Sequence, residues 1–142
     1  MSLSNRSIVV FAFDGYQELE FWYPVLRARE EGAEVKVVGP GDGPCESHLG
    51  YPVLGDSAAD EVVSEDVDAL VVPGTVTGRP AISNAQVSLL RRLRAAQVPI
   101  YASGSGAHLV REVVLDVDPD RVAADADALP SLFIRLRTEL AG

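Results

Sequence analysis

Apolar and polar positions along this chain follow two rhythms that alternate at regular intervals. Residues 8–13 (IVVFAF) form an unbroken apolar run, rich in β-formers and too short for a buried helix. They predict a strand covered on both faces. Asp14-Gly15 supplies the turn signal that ends it. From residue 18 to 31 the period changes: Leu19, Phe21, Trp22, Val25, Leu26 and Ala28 recur at helical spacing. Gly32 then stands where a helix-closing glycine is favoured. Residues 34–39 (EVKVVG) predict a second strand, and the turn-rich stretch 40–50 followed by 51–54 predicts a small hairpin.

The same alternation continues downstream. Ala69–Val72 reads as a third buried strand stopped by Pro73-Gly74. Residues 84–97 are amphipathic, with Val87, Leu89, Leu90 and Leu93 expected inward and Arg91, Arg92 and Arg94 outward. Residues 99–102 predict a fourth strand and 106–114 a helix. Residues 116–127 are acidic and loop-like. Leu129–Ala141 predicts a closing helix that tolerates Pro130 in its first turn. Strands alternating with helices imply parallel βαβ units. The fold class is therefore α/β: a flavodoxin-like three-layer sandwich on a mostly parallel, doubly wound sheet, as one domain over residues 1–142.

Composition narrows the function. The chain has 21 acidic and 12 basic residues, a formal net charge of −9, which repels a phosphate backbone and argues against a nucleic-acid binder. No apolar run approaches the roughly 20 residues of a membrane-spanning helix, and no polybasic segment suggests a membrane surface. A short polar N-terminus and a single cysteine point to a cytoplasmic setting without a disulfide framework.

Ligands in such folds gather beyond the carboxyl ends of the strands. Three turns fall there: residues 14–20, 73–79 and 103–106. Glu18 and Glu20 are first-turn acids that suit the helix dipole, and Glu20 is equally readable as a pocket residue. Ser103-Gly-Ser-Gly106 suggests a serine elbow, yet a nucleophilic Ser105 lacks glycine at 103 and a recognisable base, since neither His48 nor His108 has an acidic partner. Cys45 sits beside Glu46, which raises a thiol pKa, and reads as structural. Asp116, Asp118 and Asp120 imitate a calcium loop but Arg121 stands where glycine is required. One cysteine and two distant histidines give no zinc spacing. No metal or cofactor is expected.

Three segments carry a resemblance: DGYQELE (14–20) followed by Tyr23-Pro24, VDALVVPG (67–74) and VPIYASGSGA (98–107), with HLGYPV (48–53) between them. Together they resemble the ThiJ/PfpI superfamily of class I glutamine-amidotransferase-like proteins. The resemblance implies that Glu20 faces a nucleophile from the start of the first helix. It places the family's cysteine position on Gly104, so cysteine-dependent chemistry is expected to be absent. It also implies an oxyanion-binding turn at Gly74 and Thr75, completed by the Ser105 N–H, with Arg79 within reach of a ligand carboxylate. After Val114 the likeness breaks, implying a C-terminally shortened member without the downstream histidine of amidotransferase relatives. A homodimer is expected by the same resemblance. The implied function is a small-molecule-binding or non-catalytic accessory protein; the alternative is a cofactor-independent hydratase, lyase or hydrolase using Glu20 as general acid/base.

Overall fold

The computed structural model describes residues 2–141. Five strands form one sheet in the order β2-β1-β5-β6-β7, every neighbouring pair parallel: β1 Ser7–Phe11, β2 Glu34–Val38, β5 Ala69–Val72, β6 Ile100–Ser103 and β7 Val122–Ala123. Strands β3 (Cys45–Glu46) and β4 (Pro52–Val53) pair antiparallel as the expected hairpin. This is the flavodoxin-like α/β architecture that the alternating pattern implies.

Helices α1 (Glu18–Glu30) and α4 (Leu129–Ala141) pack together on one side, and α2 (Asn84–Ala95) and α3 (Ser105–Val114) on the other. The central strands β1 and β5 are apolar because both their faces meet helices: Val9, Val10, Phe11, Leu70 and Val72 have no exposed surface. The α1–α4 contact is aromatic, with Tyr23 edge-on to Phe133 and the Arg27 guanidinium 4.9 Å from the same ring. Gly32 adopts φ +93° just past the end of α1, where its N–H closes on Arg29, as its position predicts.

Some expectations shift. β1 ends at Phe11, although Ala12 and Phe13 stay buried and the Ala12 N–H still donates to the Val38 carbonyl. Pro24, whose missing N–H leaves the Glu20 carbonyl without its helical donor and is expected to kink the helix, lies inside α1. On α2 the inward positions are Leu89, Leu90 and Leu93 together with Gln86, while Val87 is half-buried. Gln86 is fully buried because its amide donates to the Ala12 and Val38 carbonyls at 2.9 and 3.0 Å, tying the start of α2 to the ends of β1 and β2. A polar residue on an apolar helix face carries no periodic signal, so the pattern passes over it.

Candidate functional site

The site forms where the chain leaves β5 and β6. Gln17 caps α1, its side chain accepting the Glu20 N–H at 2.7 Å while its own N–H donates to the Gly74 carbonyl at 2.9 Å. The start of α1 is thereby fastened to the β5 turn, and the side chain of Glu20, in the first helical turn, reaches across the strand ends. There its Oε1 accepts the Gly74 N–H at 2.8 Å and the Ser103 hydroxyl at 3.0 Å. Glu20 is 7% exposed. Both hydrogen bonds fall on one oxygen, and among the described residues Glu20 forms no ion pair. Among the described residues none donates a hydrogen bond to Oε2, which lies over the β6–α3 turn.

That turn is Gly104, with φ +53° and ψ −131°, a conformation that strains any residue with a side chain. Its N–H donates to the Ala123 carbonyl at 2.8 Å, so β7 holds the turn from the sheet edge. A Cβ placed on Gly104 would stand 3.0 Å from each oxygen of Glu20. The carboxylate thus rests directly on the elbow. Gly74 is equally confined: a Cβ there would meet the Ser105 nitrogen at 2.7 Å and Glu20 Oε1 at 2.9 Å. Close approach of β5, α1 and α3 requires the absence of a side chain at this position.

The remaining sequence-predicted residues are brought to the same place, where the Thr75 N–H and the Arg79 guanidinium are already engaged. The Thr75 N–H donates to Ser105 Oγ at 2.9 Å instead of standing open to a ligand. The Thr75 hydroxyl turns to the carbonyls of Thr77 and Gly78, both at 3.0 Å. Ser105 therefore pairs with Thr75 and with no histidine. His108 is exposed along α3, and exposed His48 sets Nδ1 3.3 Å from the Tyr16 carbonyl. Arg79 is exposed and forms an ion pair with Glu112 of α3. It lines, with Asp14, His48, Thr75 and Thr77, an open concavity of about 380 Å³ above the turns.

Cys45 lies away from the elbow, in the hairpin, 1% exposed, its thiol pKa raised by burial and then by Asp14. The acidic stretch is also accounted for: Asp116 pairs with Arg94 at 2.7 Å, and Asp118 accepts the Asp120 N–H at 2.9 Å. Among the described residues no three His, Cys, Asp or Glu side chains gather to hold a metal ion. No helix among them is long and apolar enough to cross a membrane.

Two contributors escaped the sequence reading, Gln17 and Ser103. Ser103 is 1% exposed and, among the described residues, is the only hydroxyl that Glu20 accepts from. Its signal was there: a serine closing an apolar strand, aimed where ligands gather in this architecture.

Residues 6–117 match the sequence model of the DJ-1/PfpI family. The chain belongs to the DJ-1/PfpI family. Among curated relatives, a deglycase of Thermococcus kodakarensis is 42% identical over 67 residues, 47% of this chain and 40% of that protein. The match thus spans less than half the length of that relative. Catalase HPII of Pseudomonas aeruginosa is 26% identical over 91% of this chain, a stretch that makes up 16% of the catalase. Among solved structures, Drosophila melanogaster DJ-1beta superposes with a TM-score of 0.78 at 18% identity, covering 99% of this chain and 92% of that one. The DJ-1/PfpI fold is therefore present over nearly the whole of the chain.

Proposed function

We propose that this DJ-1/PfpI member is a cysteine-independent binding or accessory protein whose site offers Glu20 as its open acceptor. The observation that carries this reading is the contact between Glu20 and Gly104. No thiol stands at the elbow, and the carboxylate occupies the approach to it. Cys45 is no substitute, because a buried thiol with a raised pKa supplies little thiolate. The Gly74 and Thr75 N–H groups, which would polarise a ligand carbonyl, are spent on Glu20 and Ser105. Ligands bearing an N–H or O–H donor toward Oε2 fit this site better than ligands bearing only acceptors. The match to a small share of a much longer catalase supports an accessory use of the same fold. A cytoplasmic location is part of this reading, supported by a single cysteine with no second thiol in the chain to pair with.

A second reading keeps Glu20 as a general acid/base, favoured by the same unpartnered Oε2, which is placed to exchange a proton with a bound molecule. One experiment separates the two. Small amines, alcohols, carbonyl compounds and carboxylates are tested for a rise in melting temperature and, separately, for product formation. Binding predicts a rise with amines or alcohols that Glu20→Gln abolishes, with no product from any compound. Turnover lost in Glu20→Gln and kept in Cys45→Ser establishes the acid/base reading instead. Turnover of carbonyl compounds that Cys45→Ser removes would sink both.

A further inference from the structure

At the end of the sheet away from Glu20, the edge of β6 is left partly uncovered. Alternate residues of a strand in a parallel sheet turn their N–H and C=O groups to opposite neighbours. Leu70 donates to the Pro99 carbonyl on the β5 side, and Gly104 donates to the Ala123 carbonyl on the β7 side. Pro99, Tyr101 and Ser103 therefore face β5, while Ile100, Ala102 and Gly104 face β7. Strand β7 pairs with Ala102 and Ser103 and reaches no further along β6. The Arg121 N–H, which would carry the ladder on to the Ile100 carbonyl, donates instead to the Asp118 carbonyl at 2.9 Å. Among the described residues the Ile100 N–H and C=O thus have no partner, although Ile100 is only 7% exposed. Buried backbone groups are nearly always paired, so these two call for an occupant.

Ile100 lines an open cavity of about 460 Å³ between the end of α2, the start of β6 and the segment after α3. Val98 and Val117 give the cavity apolar surface, and Arg94, Arg121, Asp116 and Asp118 give it charge. Arg94 spends Nη2 on Asp116, and Arg121 spends Nε and Nη2 on Glu139. Each guanidinium keeps Nη1 without a protein acceptor among the described residues. The Arg94–Asp116 pair is exposed and worth little against a competing carboxylate. The two segments that enclose the cavity are both turned by non-glycine residues in the left-handed region, Gln97 at φ +63° and Leu115 at φ +61°. Backbone strain of this kind clusters at ligand sites.

We infer that this cavity binds a short peptide with a free carboxyl end, at a site separate from Glu20. The middle residue of a tripeptide offers an N–H to the Ile100 carbonyl and a carbonyl to the Ile100 N–H, extending the sheet by one rung. Its carboxylate goes to Arg94, whose exposed partner is readily displaced, in a charge-assisted hydrogen bond. Two arginines against two aspartates leave the lining near neutral, which suits a zwitterion better than a polyanion. A free amino acid carries the same two charges but cannot serve Ile100 and the charged wall at once. The volume is within the range of small-ligand pockets.

Titration of the isotope-labelled chain with trialanine, followed through its backbone amide signals, tests this. A saturable shift of the Ile100 amide is expected, with Val98 and Val117 shifting alongside it. N-methylation of the middle residue of trialanine, which removes the donor to Ile100, is expected to weaken binding at least tenfold. So is replacing trialanine by alanine, or capping its carboxyl end as the amide. Arg94→Gln, at an exposed position, is expected to keep the native melting temperature and to erase the preference for the free acid over the amide. No saturable shift at Ile100 up to about 20 mM trialanine overturns the inference. So does an N-methylated peptide that binds as tightly as its parent, or an Arg94→Gln chain that still prefers the free acid. Shifts confined to Gly74, Gly104 and Ser105 overturn it as well, since the peptide then goes to the Glu20 site.

Discussion

The protein holds two carboxylates in hydrogen-bonded clusters, and they are built on opposite plans. Glu139 of α4 receives the Arg121 guanidinium through Nε at 3.0 Å and Nη2 at 3.2 Å, together with the Tyr101 hydroxyl at 2.5 Å. Arg121 holds its pKa below the usual carboxylate value, and burial followed by Glu139 drives the Tyr101 pKa well above that of an ordinary tyrosine. Both oxygens are used, a cation is present, and the cluster ties α4 to β6 and the segment before β7. Glu20 is more deeply buried, takes two neutral donors on one oxygen, and among the described residues has neither a cation nor a partner for the other. A saturated, charge-matched carboxylate clamps two elements together. A buried carboxylate left half-open costs stability in return for no packing gain, and sites that do so are where function concentrates.

The largest expected effect tests the plan at Glu20. Glu20→Leu leaves the Gly74 N–H and the buried Ser103 hydroxyl without an acceptor, which costs about 2–4 kcal/mol of folding stability. Glu20→Gln keeps an oxygen for both donors and removes only the charge, so its midpoint in urea stays within about 0.5 kcal/mol of wild type or rises. At Glu139 the same conservative change breaks the charge pair and lowers stability by about 1 kcal/mol. Equal losses for Glu→Gln at the two positions would erase the distinction.

The sequence shows one half of this comparison far better than the other. Glu20, Gly74, Thr75, Gly104 and Ser105 were legible as a group because each lies just past a buried strand or at a helix start, and the α/β topology gathers such positions at one end of the sheet. Their hydrogen-bond pairing was not legible. Whether the Thr75 N–H faces a ligand or Ser105 Oγ depends on one side-chain torsion and on how closely β5 approaches α3, neither of which leaves a trace in residue spacing. The Glu139 cluster was invisible for a different reason. Tyr101, Arg121 and Glu139 come from three elements, and each reads alone as an ordinary strand aromatic, loop cation or helix acid. The outer face of α1 misled the pattern outright. Leu19 and Leu26, both exposed, share the helical period with the true core residues, and periodicity cannot say which of two apolar faces meets the sheet.

A smaller effect is expected at the elbow. Gly104→Ala forces a Cβ into a left-handed backbone and to within 3.0 Å of both Glu20 oxygens, so Glu20 must give way. The backbone strain alone is about 1–3 kcal/mol. The combination Gly104→Ala with Glu20→Ala removes the crowding but keeps the strain, and its loss is expected to be less than the sum of the two single losses. Strict additivity in that double-mutant cycle would mean the two residues do not touch.

The smallest effect is a pH dependence at Glu139. A carboxylate whose folded pKa lies below its unfolded value contributes stability that is complete above the unfolded value, here the ordinary 4.5, and is lost as pH falls through the lower folded one. With the side chains of Arg121 and Glu139 29% and 27% exposed, solvent screening holds the contribution to about 1 kcal/mol or less. Urea midpoints for wild type and Arg121→Gln are therefore expected to differ by that amount at neutral pH and to converge as pH falls below the ordinary carboxylate range and Glu139 takes up its proton. Glu139→Gln should show no such convergence when Arg121→Gln is added to it, because nothing is left to titrate. A gap between wild type and Arg121→Gln that stays constant from neutral pH into acid would mean that Arg121 stabilises by packing over the Tyr101 ring, 5.7 Å from its centre, and not through the charge of Glu139.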